Sequence, residues 1–193
     1  MGVAILGGAF DPPHNGHVSL AKGAVRQFGV TRLLVRVVTA PGHKSVSAAA
    51  DDRLALAELA FGRLPGAEVA LDPHARTVDS LEALGLDDPV FLIGADELAS
   101  FPTWKEPARV LELARLGVAT RPGVDRERLD EVITGLSWPD RIELFEIEQL
   151  PISSSEIRAR VADGEPIDAL VPAAVAAEIA RRGLYRGSPR LDG

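Results

Sequence analysis

Val3-Ala4-Ile5-Leu6-Gly7-Gly8-Ala9-Phe10-Asp11-Pro12-Pro13-His14-Asn15-Gly16-His17 stands near the start of the chain. Its four consecutive aliphatic residues read as a strand buried on both faces. The glycines and prolines that follow cannot continue it, and from about His17 to Phe28 the pattern is helical. A buried strand, a Gly/Pro loop and a helix form the first half of a strand–helix–strand unit, and the alternation repeats along the chain. Further strands are expected at 33–38, 68–71, 90–93, 116–120 and 142–147. The last of these alternates apolar and charged residues, as a half-exposed strand near a sheet edge does. Helices are expected from Asp51 or Asp52 to about Leu64, from Thr77 to Leu84, and over about 107–113, 125–135, 153–162 and 172–182. Pro65-Gly66, Gly85 and Gly183 supply their stops. This pattern predicts an α/β fold, a doubly wound parallel sheet with helices on both faces, followed by a C-terminal helical segment. One domain is expected over 1–185, with 186–193 as a polar tail.

The composition narrows the classes of function. A chain of 193 residues, 46% hydrophobic and 25% charged, can bury a core without a metal or disulfide staple. The net charge of -7 argues against nucleic acid and anionic membranes as partners. Cysteine is absent, which removes thiol catalysis and cysteine-based zinc sites. No apolar stretch approaches the ~20 residues of a membrane span, and no basic leader precedes the first apolar run. The expected location is the cytoplasm. Only three lysines accompany eighteen arginines, and three of the four histidines fall in two segments, Gly7 to His17 and Ala40 to Lys44.

In a doubly wound sheet, ligands bind outside the carboxyl ends of the strands, so the loops after them decide the function. Gly7 to His17 offers close backbone approach to a ligand and a helix start with free N–H groups, which suits a phosphate. His14 and His17 lie three residues apart on one side of that helix entrance. The same residues would serve a plain tight turn, or a His-x-x-His metal pair, although zinc requires at least three protein ligands. Ala40-Pro41-Gly42-His43-Lys44 can aim Lys44 at an anion or be an ordinary turn. Thr77 caps a helix, and the N–H groups of that helix start could hold a carboxylate. Asp96, just past the most apolar strand, is placed to accept hydroxyl hydrogens, and Trp104 can stack on a heteroaromatic ring or simply pack. Ser153 and Glu156 form a capping box, and Ser153, Ser154, Ser155 and Arg158 around that helix start also make a phosphate clamp. Neither GxGxxG nor GxxxxGK[ST] occurs.

Together these segments resemble the nucleotidylyltransferase superfamily, with His14-Asn15-Gly16-His17 as its H-x-G-H loop and Ile152 to Arg158 as its I-S-S-x-x-x-R motif. Within it the chain looks like the bacterial nicotinate-nucleotide adenylyltransferases. The matching stretches are Gly7 to His17, Pro41 to Lys44, Gly94 to Asp96 with Trp104, Ile152 to Arg158, and Gly183-Leu184-Tyr185. They run in order over residues 3–185. Ala9 stands where that family usually has Thr or Ser, Gly42 replaces a common Pro, and Ser80 and Ser155 replace common Thr.

The resemblance implies a Rossmann-like fold and a reaction of ATP with nicotinate mononucleotide that gives deamido-NAD and pyrophosphate. It implies that His14, His17, Lys44 and Arg158 carry the chemistry. Gly7, Gly8, Ala9, Phe10, His14, His17, Gly94, Asp96, Ile152, Ser153, Ser154 and Arg158 would contact ATP. Gly8, Ala9, Phe10, Lys44, Thr77, Val78 and Trp104 would contact the mononucleotide. Mg²⁺ would arrive with ATP rather than on a resident metal site. A homo-oligomer is left open. The rival readings are a nicotinamide-mononucleotide, pantetheine-phosphate or cytidylyl transferase, a nucleotide-binding protein without catalysis, and a dinucleotide-dependent oxidoreductase.

Overall fold

The computed structural model describes residues 2–42, 45–120, 125–148 and 150–186. Six strands, β1 (Gly2–Gly8), β2 (Val30–Val38), β3 (Ala67–Asp72), β4 (Val90–Gly94), β5 (Arg115–Thr120) and β6 (Ile142–Glu146), form one sheet. The order is β3-β2-β1-β4-β5-β6 and every neighbouring pair is parallel. The chain therefore winds outward from β1 in one direction and from β4 in the other. The switch point between β1 and β4 is where such a sheet opens a crevice at its carboxyl edge.

Among the described residues eight α-helices accompany the strands: α1 (Asn15–Phe28), α2 (Ala50–Phe61), α3 (Thr77–Leu84), α4 (Ala95–Ser100), α5 (Pro107–Leu113), α6 (Arg126–Thr134), α7 (Ser154–Ala162) and α8 (Ala173–Arg182). Alternate strand residues point to opposite faces and each face has its own core. On one face Ala4, Leu6, Leu33, Val35, Val37 and Leu92 pack with Ala21 and Ala24 of α1 and Ala57 and Phe61 of α2. On the other, Ile5, Leu34, Phe91, Ile93, Leu116 and Val118 pack with α3, α5, α6 and Phe101. A third cluster joins Leu56 of α2 to Ile157 of α7 and to Val171, Val175 and Ile179. α2 is thus covered on two sides, by the sheet and by the C-terminal helices. No helix among the described residues is long and apolar enough to cross a membrane.

The expected alternation holds in order, with shifts at the ends. α1 begins at Asn15 rather than His17 and α2 ends at Phe61 rather than Leu64. Ala49, not an aspartate, holds the N-cap of α2, and Asp51 and Asp52 lie in its first turn, where their charge suits the helix dipole. Thr77 is not a cap either: Arg76 is, and Thr77 is the first helical residue. α4 was not expected, because six residues are too short to show a period. β6 pairs only with β5, so it is the edge strand its alternation predicts.

Candidate active site

The loop between β1 and α1 is shaped by crowding. A Cβ added at Gly8 would lie 3.1 Å from the tip of the Phe10 ring. Phe10 adopts a left-handed backbone, φ 48°, which costs a non-glycine residue energy that only firm surroundings can hold. The surroundings are its ring contacts, edge-on to His17 at 5.2 Å and to Phe61 at 5.4 Å. The Phe10 side chain therefore belongs to the core, while its main chain lines the loop.

His14 and His17 stack with ring centroids 3.7 Å apart. The His14 main-chain N–H donates to His17 Nδ1 at 3.2 Å, so a neutral His17 carries its proton on Nε2. His14 is buried, and its Nδ1 has no hydrogen-bond partner. Burial draws the His14 pKa down from 6.5 to about 4; the ring is neutral near pH 7, so what it can offer a ligand is a hydrogen bond and not a charge. A Cβ at Gly16 would lie 3.0 Å from His14 Nδ1, so a side chain there would press on the His14 ring where it stacks on His17.

The start of α7 docks on this loop. The Ser154 hydroxyl donates to Pro12 O at 2.8 Å, and Arg158 Nη1 donates to Asp11 O at 2.7 Å. Arg158 Nη2 also reaches Ser155 Oγ at 3.3 Å. Ser153 caps α7 as expected, accepting from Glu156 N at 3.1 Å. The return half of the expected capping box is replaced: the Glu156 carboxylate takes Arg160 at 3.2 Å. The structure thus brings Gly7 to His17 and Ile152 to Arg158 together.

The remaining expected residues form a second group. At the start of α3 the first helical bond runs from Ser80 N to Arg76 O, so the helix itself leaves the N–H groups of Thr77 and Val78 unused. Trp104 packs edge-on against Phe101 at 5.3 Å and Phe91 at 6.5 Å. Its neighbour Lys105 pairs with Asp79 in the first turn of α3 at 2.6 Å, which draws the Trp104 segment toward that helix start. Gly94 ends β4, which lies beside β1, and Asp96 lies in the first turn of α4 just after it. The Gly94 N–H is taken by Glu97 Oε2 at 3.0 Å, so a ligand contact there requires Glu97 to move. Lys44 and His43 lie outside the described residues, as do residues 187–193 of the expected tail.

Three residues of this region carry no expected role, although Asp11 and Tyr185 lie within the matching stretches Gly7 to His17 and Gly183-Leu184-Tyr185. Arg53 is fully buried and, among the described residues, donates to main-chain carbonyls alone, those of Ala9, Val38, Thr39 and Ala48. Asp11, 3% exposed, accepts from Ser47 N, Ala48 N and the Tyr185 hydroxyl. Burial, and then the Asp11 charge, raises the Tyr185 hydroxyl far above its ordinary range, so it remains a donor. One signal was present: Arg53 continues the buried stripe of Ala57 and Phe61 on α2. A charge on an apolar stripe asks for partners.

The model of the cytidylyltransferase-like family matches residues 5–160. A probable nicotinate-nucleotide adenylyltransferase of Roseiflexus sp. is 38% identical over 200 residues, covering 95% of this chain and 98% of that one. Its counterpart in Bordetella avium is 35% identical over 192 residues, with the same coverage of each chain. The chain belongs to the nicotinate-nucleotide adenylyltransferases of the cytidylyltransferase-like family. Its fold is also that of the Plasmodium falciparum nicotinic acid mononucleotide adenylyltransferase complexed with NaAD. That structure matches at a TM-score of 0.78 and 17% identity, covering 95% of this chain and 97% of that one. In this family member, then, the two docked segments at the β1 edge are the N-terminal and C-terminal motifs of the sequence.

Proposed function

We propose that the chain joins nicotinate mononucleotide and ATP to give nicotinate adenine dinucleotide and pyrophosphate, a step of NAD biosynthesis. The observation that carries this reading is the meeting of two helix starts, α1 and α7, on the loop after β1, in a chain similar over its length to relatives of that name. Each helix start offers N–H groups and a positive dipole end to phosphate.

In the reaction, an oxygen of the mononucleotide phosphate forms a bond to the α-phosphorus of ATP. The bond from that phosphorus to the bridging oxygen breaks, and pyrophosphate leaves. The attacking phosphate has its second pKa near ~6 and is already dianionic at neutral pH, so no general base is called for. What the chain supplies is alignment of two anions and stabilisation of the charge on the departing pyrophosphate. His17 Nε2–H and the His14 ring donate to the ATP phosphates, with His17 nearest the α-phosphate. The main chain of Gly7, Gly8, Ala9 and Phe10 lines the same phosphates. Ser153, Ser154 and Arg158, with the Ile152 main chain, hold the leaving pyrophosphate; Gly94 and Asp96 take the adenosine ribose. Lys44 binds the mononucleotide phosphate. The free N–H groups of Thr77 and Val78 take the nicotinate carboxylate, with Trp104 against the ring.

Mg²⁺ belongs here to the ATP substrate. Histidine nitrogens suit it poorly, and the Asp11 oxygens are engaged with Ser47, Ala48 and Tyr185. Phosphate oxygens and water would hold it, and it would offset phosphate charge. The reading keeps the chain as one domain in the cytoplasm, with neither nucleic acid nor membrane as a partner.

Pyrophosphate release from ATP tests this reading, run with nicotinate mononucleotide, nicotinamide mononucleotide and phosphopantetheine in turn. Fastest release with nicotinate mononucleotide is expected; release with phosphopantetheine alone overturns the assignment. His17→Ala is expected to lose at least ~100-fold in turnover, the scale of removing one preorganised donor, with the melting temperature retained. Near-normal turnover of that variant removes His17 from its role.

A further inference from the structure

We propose that Arg53 is a positioning residue for adenylyl transfer, clamping the loop after β1 to the loop after β2, with Asp11 as its reciprocal partner. The proposal rests on the reaction assigned above. Arg53 stands on α2 and is 0% exposed. Its Nη1 donates to Ala9 O and Val38 O, both at 2.7 Å; Nη2 donates to Thr39 O at 2.7 Å and Nε to Ala48 O at 3.1 Å. These acceptors come from three separate segments: the loop after β1, the end of β2 and the approach to α2. A buried cation that spends its donors on carbonyls, with no carboxylate of the described residues in hydrogen-bond reach, is an expensive way to fill a core position. No other side chain has a planar fork of five N–H groups able to tie three segments at once.

The peptide plane turns this bracing into aim. Ala9 C=O and Phe10 N–H belong to one planar trans unit and point in opposite directions. Holding the carbonyl on Arg53, inside the core, directs the Phe10 N–H away from it, into the loop that receives phosphate. Asp11 works in the reverse sense. It leaves the phosphate loop and accepts from Ser47 N at 2.6 Å and Ala48 N at 3.1 Å. Ala48 therefore gives its carbonyl to Arg53 and its N–H to Asp11. Thr39 is held by Arg53, and Ala48 by Arg53 and Asp11 together; Lys44 lies between these two anchors in the sequence.

A double-mutant cycle separates positioning from a merely structural role, because positioning through the Lys44 loop is lost only once. Arg53→Lys keeps the charge and loses the fork. We expect it to lower kcat/KM for nicotinate mononucleotide at least tenfold, and to cost less than threefold when placed in Lys44→Ala. Calorimetric Kd of the mononucleotide is read in the same four chains, so the cycle stands even where turnover with this substrate fails and the reaction assignment falls alone. Losses that multiply, or an Arg53→Lys chain within threefold of wild type in both readings, overturn the proposal. Where circular dichroism shows Arg53→Lys unfolded, Asp11→Asn enters the same cycle with the same thresholds. If neither variant folds, the pair serves the fold rather than the loops and the proposal is overturned.

Discussion

His14 shows how burial selects the chemistry a single residue can do. Its imidazole is closed in against His17, and desolvation keeps it neutral down to about pH 4. A cation there would attract phosphate but would not survive the burial; a neutral ring with an unsatisfied Nδ1 offers a hydrogen bond instead. The same shift ties stability to pH. Above pH 6.5 neither the folded nor the unfolded chain protonates this residue. As the pH falls from 6.5 to about 4, the unfolded chain binds the proton and the folded chain does not, so the folded state loses on the order of 3 kcal/mol. Urea denaturation at pH 7.5, 6.0 and 4.5 should show this loss in the wild type and not in His14→Gln. Equal losses in both would detach the effect from His14.

At the scale of elements, α7 matters for what it carries. Ile157 is fully buried against Leu56 of α2 and the C-terminal helix, and Ser154 and Arg158 sit beside it on the phosphate loop. Packing and docking therefore share one turn of one helix, through neighbouring positions three and four residues apart. Ile157→Ala is expected to cost about 2–5 kcal/mol and to raise the KM for ATP several-fold at temperatures where the chain is still folded. The KM for the mononucleotide should stay near wild type, since none of its expected contacts is on α7. A loss of stability with both KM values unchanged would show that α7 tolerates the cavity without shifting its first turn.

The whole molecule resolves an apparent contradiction of charge. A chain of net charge -7 is assigned two anionic substrates. The winding of the sheet places the loop after β1 and the starts of α1 and α7 at one edge, so N–H groups, imidazoles and Arg158 act there locally. Long-range contacts also join the segments proposed to take the mononucleotide. Lys105 crosses from the Trp104 segment to Asp79 on α3. Lys105→Ala should leave the melting temperature unchanged, as exposed ion pairs usually do. It should raise the KM for nicotinate mononucleotide with little change for ATP. An unchanged mononucleotide KM would show that Trp104 is held by Phe91 and Phe101 alone.

By itself the sequence determined what is local. Hydrophobic runs, turn residues and motif spacing are read within about ten neighbours, and they placed the strands, most helices and the Gly7–His17 and Ile152–Arg158 loops. α4 escaped because six residues do not complete two turns, and the Thr77 cap was misplaced because capping depends on which residue the chain bends at. Strand order, the switch point and the burial of His14 came only with the tertiary structure. So did the contacts of Arg53, Asp11 and Tyr185. The Tyr185–Asp11 bond joins residues 174 positions apart, and Arg53 reaches Ala9 across 44. No periodicity encodes such partners; they exist because a parallel sheet carries the ends of distant strands to one edge, and buried polar groups there must find each other.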